Sequence, residues 1–443
     1  MIQGVSPETI TVLMFLGVCA GVFLGYPLAF VLGGLGFVFG LLFVGPDVFG
    51  MFVVRTLAVM KDYVLLAVPL FVFMGVMLER SGVSERLFGA LHLWLGGVRG
   101  GLAIATILIS TIFAACTGIV GASVVMMGLL ALPAMLSRGY DKSLVTGTIC
   151  AGGTLGILIP PSIMIVIYGP TAGISVGKLF AGAFFPGFLL SALYTVFIAA
   201  VCFLRPELGP PMPLEERQVS FQKKLYELLI SLLPPIFLIM AVLGTIFFGF
   251  AAPTEAAAVG GTATALLAAC YGRLNLKTLK EACYGTLRTT SMVMMVVVGA
   301  GFFTGVFLYL GGGDVVTEVV LSLPLGKWGI LFFMMVVVFI LGSLIDWIGI
   351  IMICVPLFTP IARQLGFNDT WFAMLVIVNL QMSFLTPPFA YSIFYLKGIA
   401  PPEITTHDIY KGVVPFIILQ WIGLALCIIY PDIIMWLPSK LIK

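Results

Sequence analysis

Charge is what this chain has least of. Only 9% of its 443 residues are Asp, Glu, Lys or Arg, while 61% are hydrophobic; a soluble globular domain carries about 25% charged residues. Such a surface cannot keep a fold in water, so the chain reads as an all-α polytopic membrane protein. Its length allows roughly ten or more spans of about 20 residues. A net charge of +3 gives no case for nucleic-acid binding. Histidine is scarce, and His92 and His407 are far apart. The eight cysteines are scattered singly through apolar stretches without a CxxC, and read as small core residues. There is no phosphate loop, no HExxH and no GxSxG, which removes ATP hydrolysis by that route and leaves no motif for an intramembrane enzyme. No cofactor is expected. The first apolar stretch follows Glu8 without a basic region, so no cleavable signal peptide is expected.

Proline is present where a spanning helix should not tolerate it. Pro160-Pro161 and Pro387-Pro388 sit deep in apolar sequence, in matching surroundings. Adjacent prolines remove two backbone donors and break a helix. In lipid, a broken helix survives only where the freed backbone is buried in protein or lines a cavity. Two such breaks at corresponding positions predict a transporter with a midplane binding site.

A shift of 227 residues lays Pro133 on Pro360, Gly139 on Gly366, the first double proline on the second, and Tyr168 on Tyr395; Asp141 falls one residue short of Asp369. This predicts a structural repeat. Residues 1–61 read as N-terminal scaffold helices, 62–204 as the first repeat and 205–285 as a linker followed by scaffold helices. Residues 286–443 read as the second repeat. Each repeat has a span, an amphipathic stretch, a pair of short apolar segments (100–137; 328–362), a proline-broken span (143–168; 370–396) and a final span. Each short pair is either a re-entrant hairpin whose tip meets the proline break or two short ordinary spans. With re-entrant hairpins and a cytoplasmic 205–224 linker, both termini lie outside. Lys and Arg then divide 15 inside to 7 outside, with Arg217 in the first group and Lys443 in the second. That bias follows the positive-inside rule, and it makes the repeat inverted.

Asp346 is the clearest ionisable residue in the apolar interior. It reads as a cation or proton site, or as an aspartate capping the hairpin tip, and the two roles are compatible. Gly152-Gly153-Thr154-Leu155-Gly156 precedes the first double proline, where unwound carbonyls offer hard oxygen ligands suited to sodium; half-helix N-termini suit a carboxylate. Gln381, Ser383 and Thr386 offer an amide and hydroxyls before the second. Thr117 and Ser123 add oxygens near the first tip, or make helix-to-helix hydrogen bonds. Glu255, in Pro253-Thr254-Glu255, reads as part of a helix start rather than a proton relay. Arg288 reads as a snorkelling interfacial residue.

The runs Pro69-Leu-Phe-Val-Phe-Met-Gly, Gly153-Thr-Leu-Gly-Ile-Leu-Ile-Pro-Pro-Ser, Pro253-Thr-Glu-Ala-Ala-Ala and Thr386-Pro-Pro resemble the large membrane subunit of tripartite ATP-independent periplasmic (TRAP) transporters. The resemblance covers nearly the whole chain. It implies an elevator-type secondary transporter in the bacterial inner membrane, driven by a sodium gradient. It also implies two protein partners, a small four-helix membrane subunit and a periplasmic binding protein that delivers an organic acid. Carried over by position, one sodium site uses Thr117, Gly118, Gly156, Leu158 and Pro161. The other uses Ser343, Asp346, Gln381, Ser383 and Thr386. Ser123, Ser162, Pro387 and Pro388 are the candidate substrate contacts. The chain departs from the family at Cys116-Thr117-Gly118-Ile119, where many members have Ser-Gly-Ser, and at Ser383, where glycine is common. Residues 379–398 resemble a branch carrying 2-oxo acids, with a C4-dicarboxylate as the other reading. A self-sufficient sodium- or proton-coupled carboxylate carrier is the alternative function.

Overall fold

Helix ends in this chain are set by glycine geometry and short polar caps. The computed structural model describes residues 4–213 and 219–441, and contains only helices and connecting segments among them. Arg217 and Lys443, one from each side of the charge count, lie outside the described residues. Gly139 and Gly366 both take the left-handed conformation, with φ of 76° and 78°. After the first, the Asp141 carboxylate accepts from the Leu144 amide at 2.9 Å and starts helix Lys142–Thr154. After the second, the Asn368 side chain accepts from the Thr370 and Trp371 amides at 2.9 and 3.2 Å and starts Asp369–Ser383. The sequence frame set Asp141 beside Asp369, one residue out of step. The side chain that does the capping is Asn368, which lies on Asp141 in the ungapped frame.

The frame extends further than expected. Gly101–Thr117 and Val120–Leu136 fall on Lys327–Leu344 and Trp347–Gln364. Lys142–Thr154 and Ile163–Ala172 fall on Asp369–Ser383 and Tyr391–Ile399, and the long helix Val176–Leu204 falls on Thr406–Ile429. The same shift also lays Leu28–Phe43 on Pro253–Cys270 and Ala67–Glu79 within Leu276–Tyr309. The repeat thus takes in segments that the sequence reading set apart as scaffold (1–61) and as linker plus scaffold (205–285). Packing follows the repeat. Leu28–Phe43 lies against Leu276–Tyr309, the helix that opens the second copy's span, and Pro253–Cys270 lies against its counterpart, Ala67–Glu79. At the first contact a Cβ on Gly299 would sit 2.4 Å from the Ala29 carbonyl oxygen, so only glycine permits that approach.

End contacts set the two broken helices side by side in opposite directions. Lys142, at the start of the first broken helix, donates to the Glu403 carbonyl at 2.8 Å, just past the end of the second. Ala172, at the end of the first, accepts from Arg363 at 3.4 Å, and Arg363 also holds Asp369 at the start of the second, at 2.9 Å. One end of the bundle gathers residues assigned to the inside: Lys142, Lys397 bonded to the Ile404 carbonyl, and the linker strapped along the first hairpin's base by Gly100–Gly209 and Asp141–Leu208 backbone bonds. The opposite end gathers Lys178 near Ala172, with Arg363 and Lys327, the last lying over Trp328.

Six helices are long and apolar enough to cross a bilayer, or seven when Val48–Lys61 and Val64–Glu79, bent by 61°, are taken together. Two of the six are the 18-residue arms Lys327–Leu344 and Trp347–Gln364. Length alone allows each arm to cross. Their turn, however, docks on the proline break of the same copy, as a hairpin tip does. Another double proline in apolar sequence, Pro234-Pro235, lies inside Phe221–Ile239 and does not break it; further on the helix passes into a π-turn at Met240–Gly244. Five cysteines are buried as expected, but Cys270 and Cys283 are exposed. The large exposed side chains include Phe23, Phe203, Phe237 and Phe250, as a lipid-facing surface requires.

Candidate functional site

In a continuous helix the amides at positions 160 and 161 would satisfy the carbonyls of Gly156 and Ile157. Proline supplies neither donor. The chain tightens into a 3-10 turn at Leu155–Ile157, passes through Leu158, and restarts at Ile163. Ile157 is satisfied by the Ser162 hydroxyl, which donates to its carbonyl. Gly156 has no such replacement. The same holds in the second copy, where Pro387 and Pro388 deprive Ser383 and Phe384; the Ser392 amide donates to Phe384 at 3.1 Å, leaving Ser383. Gly156 and Ser383 are equivalent residues in the repeat.

Each hairpin tip meets its own break. Gly118, with φ of 61°, turns the first tip; a Cβ there would lie 3.2 Å from the Pro161 carbonyl oxygen. A Cβ on Gly156 would lie 3.6 Å from Ser123 Oγ and 3.7 Å from Thr117 Oγ1, and those two hydroxyls are 3.0 Å apart. Thr117, Gly118, Gly156 and Pro161 are therefore gathered in one place, as the carried-over site requires, with Leu158 buried in the connecting turn. At the second tip the Ser343 carbonyl accepts from the Phe389 amide at 3.0 Å, and Gly342 packs on Ser383.

The second group is less compact. Ser343 and Ser383 flank the tip, and Ser383 Oγ is buried without a partner among the described residues. The Thr386 hydroxyl donates to Met382 in its own helix. Gln381 turns inward and donates to Thr154 at 3.3 Å. Asp346 stands at the N-cap position of Trp347–Gln364 with the Trp347 and Ile348 amides facing its carboxylate. It opens into a cavity of about 560 Å³, shared with Tyr26, Leu28, Ser291, Phe389 and Tyr391. The carboxylate thus faces both those amides and the cavity, where a ligand can reach it.

Of the candidate substrate contacts, Ser123 and Ser162 are buried and their hydroxyls engaged, Ser123 with Thr117 and the Ile119 carbonyl. Pro387 and Pro388 are exposed, whereas Pro160 and Pro161 are buried. Behind Pro160 lies a separate cavity of about 500 Å³, lined by Thr111, Phe188, Ile239 and Met240 among others. The two breaks thus look out on unlike surroundings, one apolar and one carrying a carboxylate. Helices Val120–Leu136, Ile163–Ala172, Trp347–Gln364 and Tyr391–Ile399 all begin at the tips or breaks. Four helix N-termini at this level favour negative charge nearby.

Sequence reasoning missed Tyr26 and Ser291, which reach the Asp346 cavity from other helices, and it missed Gln420. The signal for Gln420 was present: it is the one amide in the apolar run from Val413 to Ile429. Glu255 accepts from the Ala252 amide at 2.9 Å and so belongs to a helix start, with Ala252 rather than Thr254 at the N-cap.

The tip contact gives a direct test. A Cβ on Gly342 would lie 1.9 Å from Ser383 Oγ and 2.9 Å from Ser383 Cβ. Gly342→Ala should therefore lift the second tip and lower the unfolding temperature in detergent by several degrees, for a cost of about 1–3 kcal/mol. Adding Ser383→Gly should recover most of that loss, because it removes both opposing atoms.

The family described as the tripartite ATP-independent periplasmic transporter, DctM component, matches residues 11–433. The C4-dicarboxylate TRAP transporter large permease of Pseudomonas aeruginosa is 32% identical over 412 residues, 92% of this chain and 94% of that protein. The isethionate TRAP transporter permease protein DctMQ of Oleidesulfovibrio alaskensis is 30% identical over 85% of this chain and 58% of its own length. In fold, the chain is similar to the YdaH transporter of Alcanivorax borkumensis, with a TM-score of 0.65 at 15% identity, covering 97% and 99% of the two chains.

Proposed function

The chain belongs to the DctM family, the large permeases of TRAP transporters, and on that premise we propose that it imports a small organic anion together with sodium. It is a multi-pass membrane transporter subunit and not an enzyme. The observation that carries the sodium reading is the pair of equivalent carbonyls, Gly156 and Ser383, freed of helical donors and each faced by a hairpin tip. Dehydrated sodium takes such neutral oxygens readily. At the first junction Thr117, Gly118, Gly156 and Pro161 would hold one ion. At the second, Ser343 and Ser383 would hold another, with Asp346 completing its charge balance from the cavity side. The substrate anion would lie in the Asp346 cavity, near helix N-termini, with the cation screening the carboxylate.

The relatives' names, which include C4-dicarboxylate, sialic acid and isethionate transporters, support an organic acid. Membership supports the two partners, a small membrane subunit and a periplasmic binding protein, and a place in the bacterial inner membrane. The hairpins and broken helices would move together against the flanking helices as an elevator. Reconstitution tests this. With the small subunit and the binding protein present, an inward sodium gradient should drive uptake of the binding protein's ligand, and omitting either sodium or the binding protein should abolish it. Uptake by the chain without a binding protein would replace this reading with that of a self-sufficient carrier.

A further inference from the structure

The hydrogen bond from Gln381 Nε2 to Thr154 Oγ1, 3.3 Å long, joins residues 227 positions apart. That is the repeat shift itself. Equivalent residues of two copies can touch only where the pseudo-two-fold axis passes, so this bond marks the axis. Thr154 and Gln381 are both fully buried. Each stands two residues before the freed carbonyl of its own copy, Gly156 and Ser383. The shortest covalent and hydrogen-bonded route from one break to the other is thus two residues, one hydrogen bond and two residues.

The bond does not stand alone. Thr154 Oγ1 donates to the Ala151 carbonyl at 2.8 Å, so its lone pairs are what it offers to Gln381. Tyr194 and Gln420, from the long helices Val176–Leu204 and Thr406–Ile429, complete the cluster. The Tyr194 hydroxyl lies against Thr154 and Gln420. Gln381 Oε1 is buried with no partner among the described residues. Unfilled capacity of this kind is costly, but it also supplies alternative partners that a small shift can engage. The Thr154–Gln381 bond can therefore be exchanged for others without exposing a polar group.

We infer that Thr154, through Gln381, couples the two breaks, so that ion binding at one junction favours the geometry that binds at the other. This rests on the sodium reading above. Thr154 is a positioning residue here and not an ion ligand. Coupling requires a physical element with two arrangements that both sites bias; here that element is the exchangeable bond between the two broken helices.

The test is uptake against sodium concentration in proteoliposomes containing the full set of partners. Wild type should give a sigmoidal curve. Thr154→Val, which keeps the shape and removes the hydroxyl, should lower the Hill coefficient to that of two independent sites and raise half-saturating sodium about fivefold or more. Thr154→Ser should restore the wild-type curve, which a role in packing alone would not predict. If the valine variant does not fold, Thr154→Ala is read the same way. A wild-type Hill coefficient retained by the hydroxyl-free variant, with half-saturation within about twofold of wild type, overturns the coupling but leaves the sodium reading intact. Wild-type uptake that ignores sodium overturns both.

Discussion

Asp346→Asn should leave the protein folded and nearly silent. Asparagine preserves the shape and the extended backbone at the N-cap position, and its side-chain oxygen can still accept from the Trp347 and Ile348 amides, so little stability depends on the charge. What it removes is the one carboxylate facing the cavity that also contains Tyr26, Ser291 and Tyr391. A charge-assisted contact is worth about 1.5–3 kcal/mol, and each 1.4 kcal/mol is about tenfold in affinity. Half-saturating sodium should therefore rise by about ten- to a hundredfold, with uptake at limiting sodium falling in proportion. Saturating sodium should recover part of the rate. Asp346→Glu should keep more function than Asp346→Asn, because charge is retained and only reach is changed. If Asp346→Asn shows a wild-type sodium curve, the carboxylate is not part of the ion chemistry, and the freed carbonyls alone must carry it.

The architecture was legible where it is written in backbone geometry. Prolines at 160, 161, 387 and 388 and glycines at 139 and 366 fix conformations that few other residues allow, so they persist in both copies and reveal the frame. The bounds of both pairs of short apolar segments agree with the helices to within two residues for the same reason: each is bounded by a change from apolar to small or polar sequence. The outer helices were harder. Leu28–Phe43 and Pro253–Cys270 fall on each other in the frame but share only Ala29 with Ala256 and Gly33-Gly34 with Gly260-Gly261, since any apolar side chain serves a helix that faces lipid or another helix. Pro234-Pro235 shows the converse hazard, because the same dipeptide lies inside the continuous helix Phe221–Ile239 where no glycine-rich segment precedes it. Within the site, Gly118, Gly156 and Pro161 were legible and the orientation of Gln381 was not. A lone amide in an apolar run announces that it needs a partner, but which helix supplies it is a tertiary fact. Asp346 was legible as an anomaly of charge, whereas its cavity, built from segments more than 300 residues apart in sequence, was not.

The largest loss of stability should come from the crossing of Lys142–Thr154 with Thr406–Ile429. There Gly147 and Gly412 bring two backbones into direct contact. A Cβ on Gly147 would lie 2.1 Å from the Gly412 carbonyl oxygen and 2.6 Å from its carbon; one on Gly412 would lie 2.2 Å from the Ser143 oxygen and 2.8 Å from the Gly147 nitrogen. These are main-chain atoms in the middle of helices and cannot swing aside as a side chain would. Alanine gains about 1 kcal/mol over glycine in helix propensity. Forcing the helices apart costs more than that, since it also loosens the contacts of Phe416, which lies on Tyr194 at 5.3 Å between ring centres. Gly147→Ala and Gly412→Ala should each lower the unfolding temperature clearly, and the corresponding valine variants should fail to accumulate as folded protein. Gly89→Ala is the control: it lies in helix Val83–Leu95, and a Cβ there meets nothing within 4 Å, so propensity alone should act and stability should hold or rise slightly. The equivalent crossing in the other copy is made by Gly182 against the Met374 side chain, with Cβ–Cγ at 3.2 Å. Methionine can yield there, so Gly182→Ala should cost far less than either alanine change at the Gly147–Gly412 crossing. A thermal series across these variants, in detergent and monitored by tryptophan fluorescence, checks that order. An equal loss at Gly182 and Gly147 would mean that close backbone approach is not what holds the first broken helix against its partner.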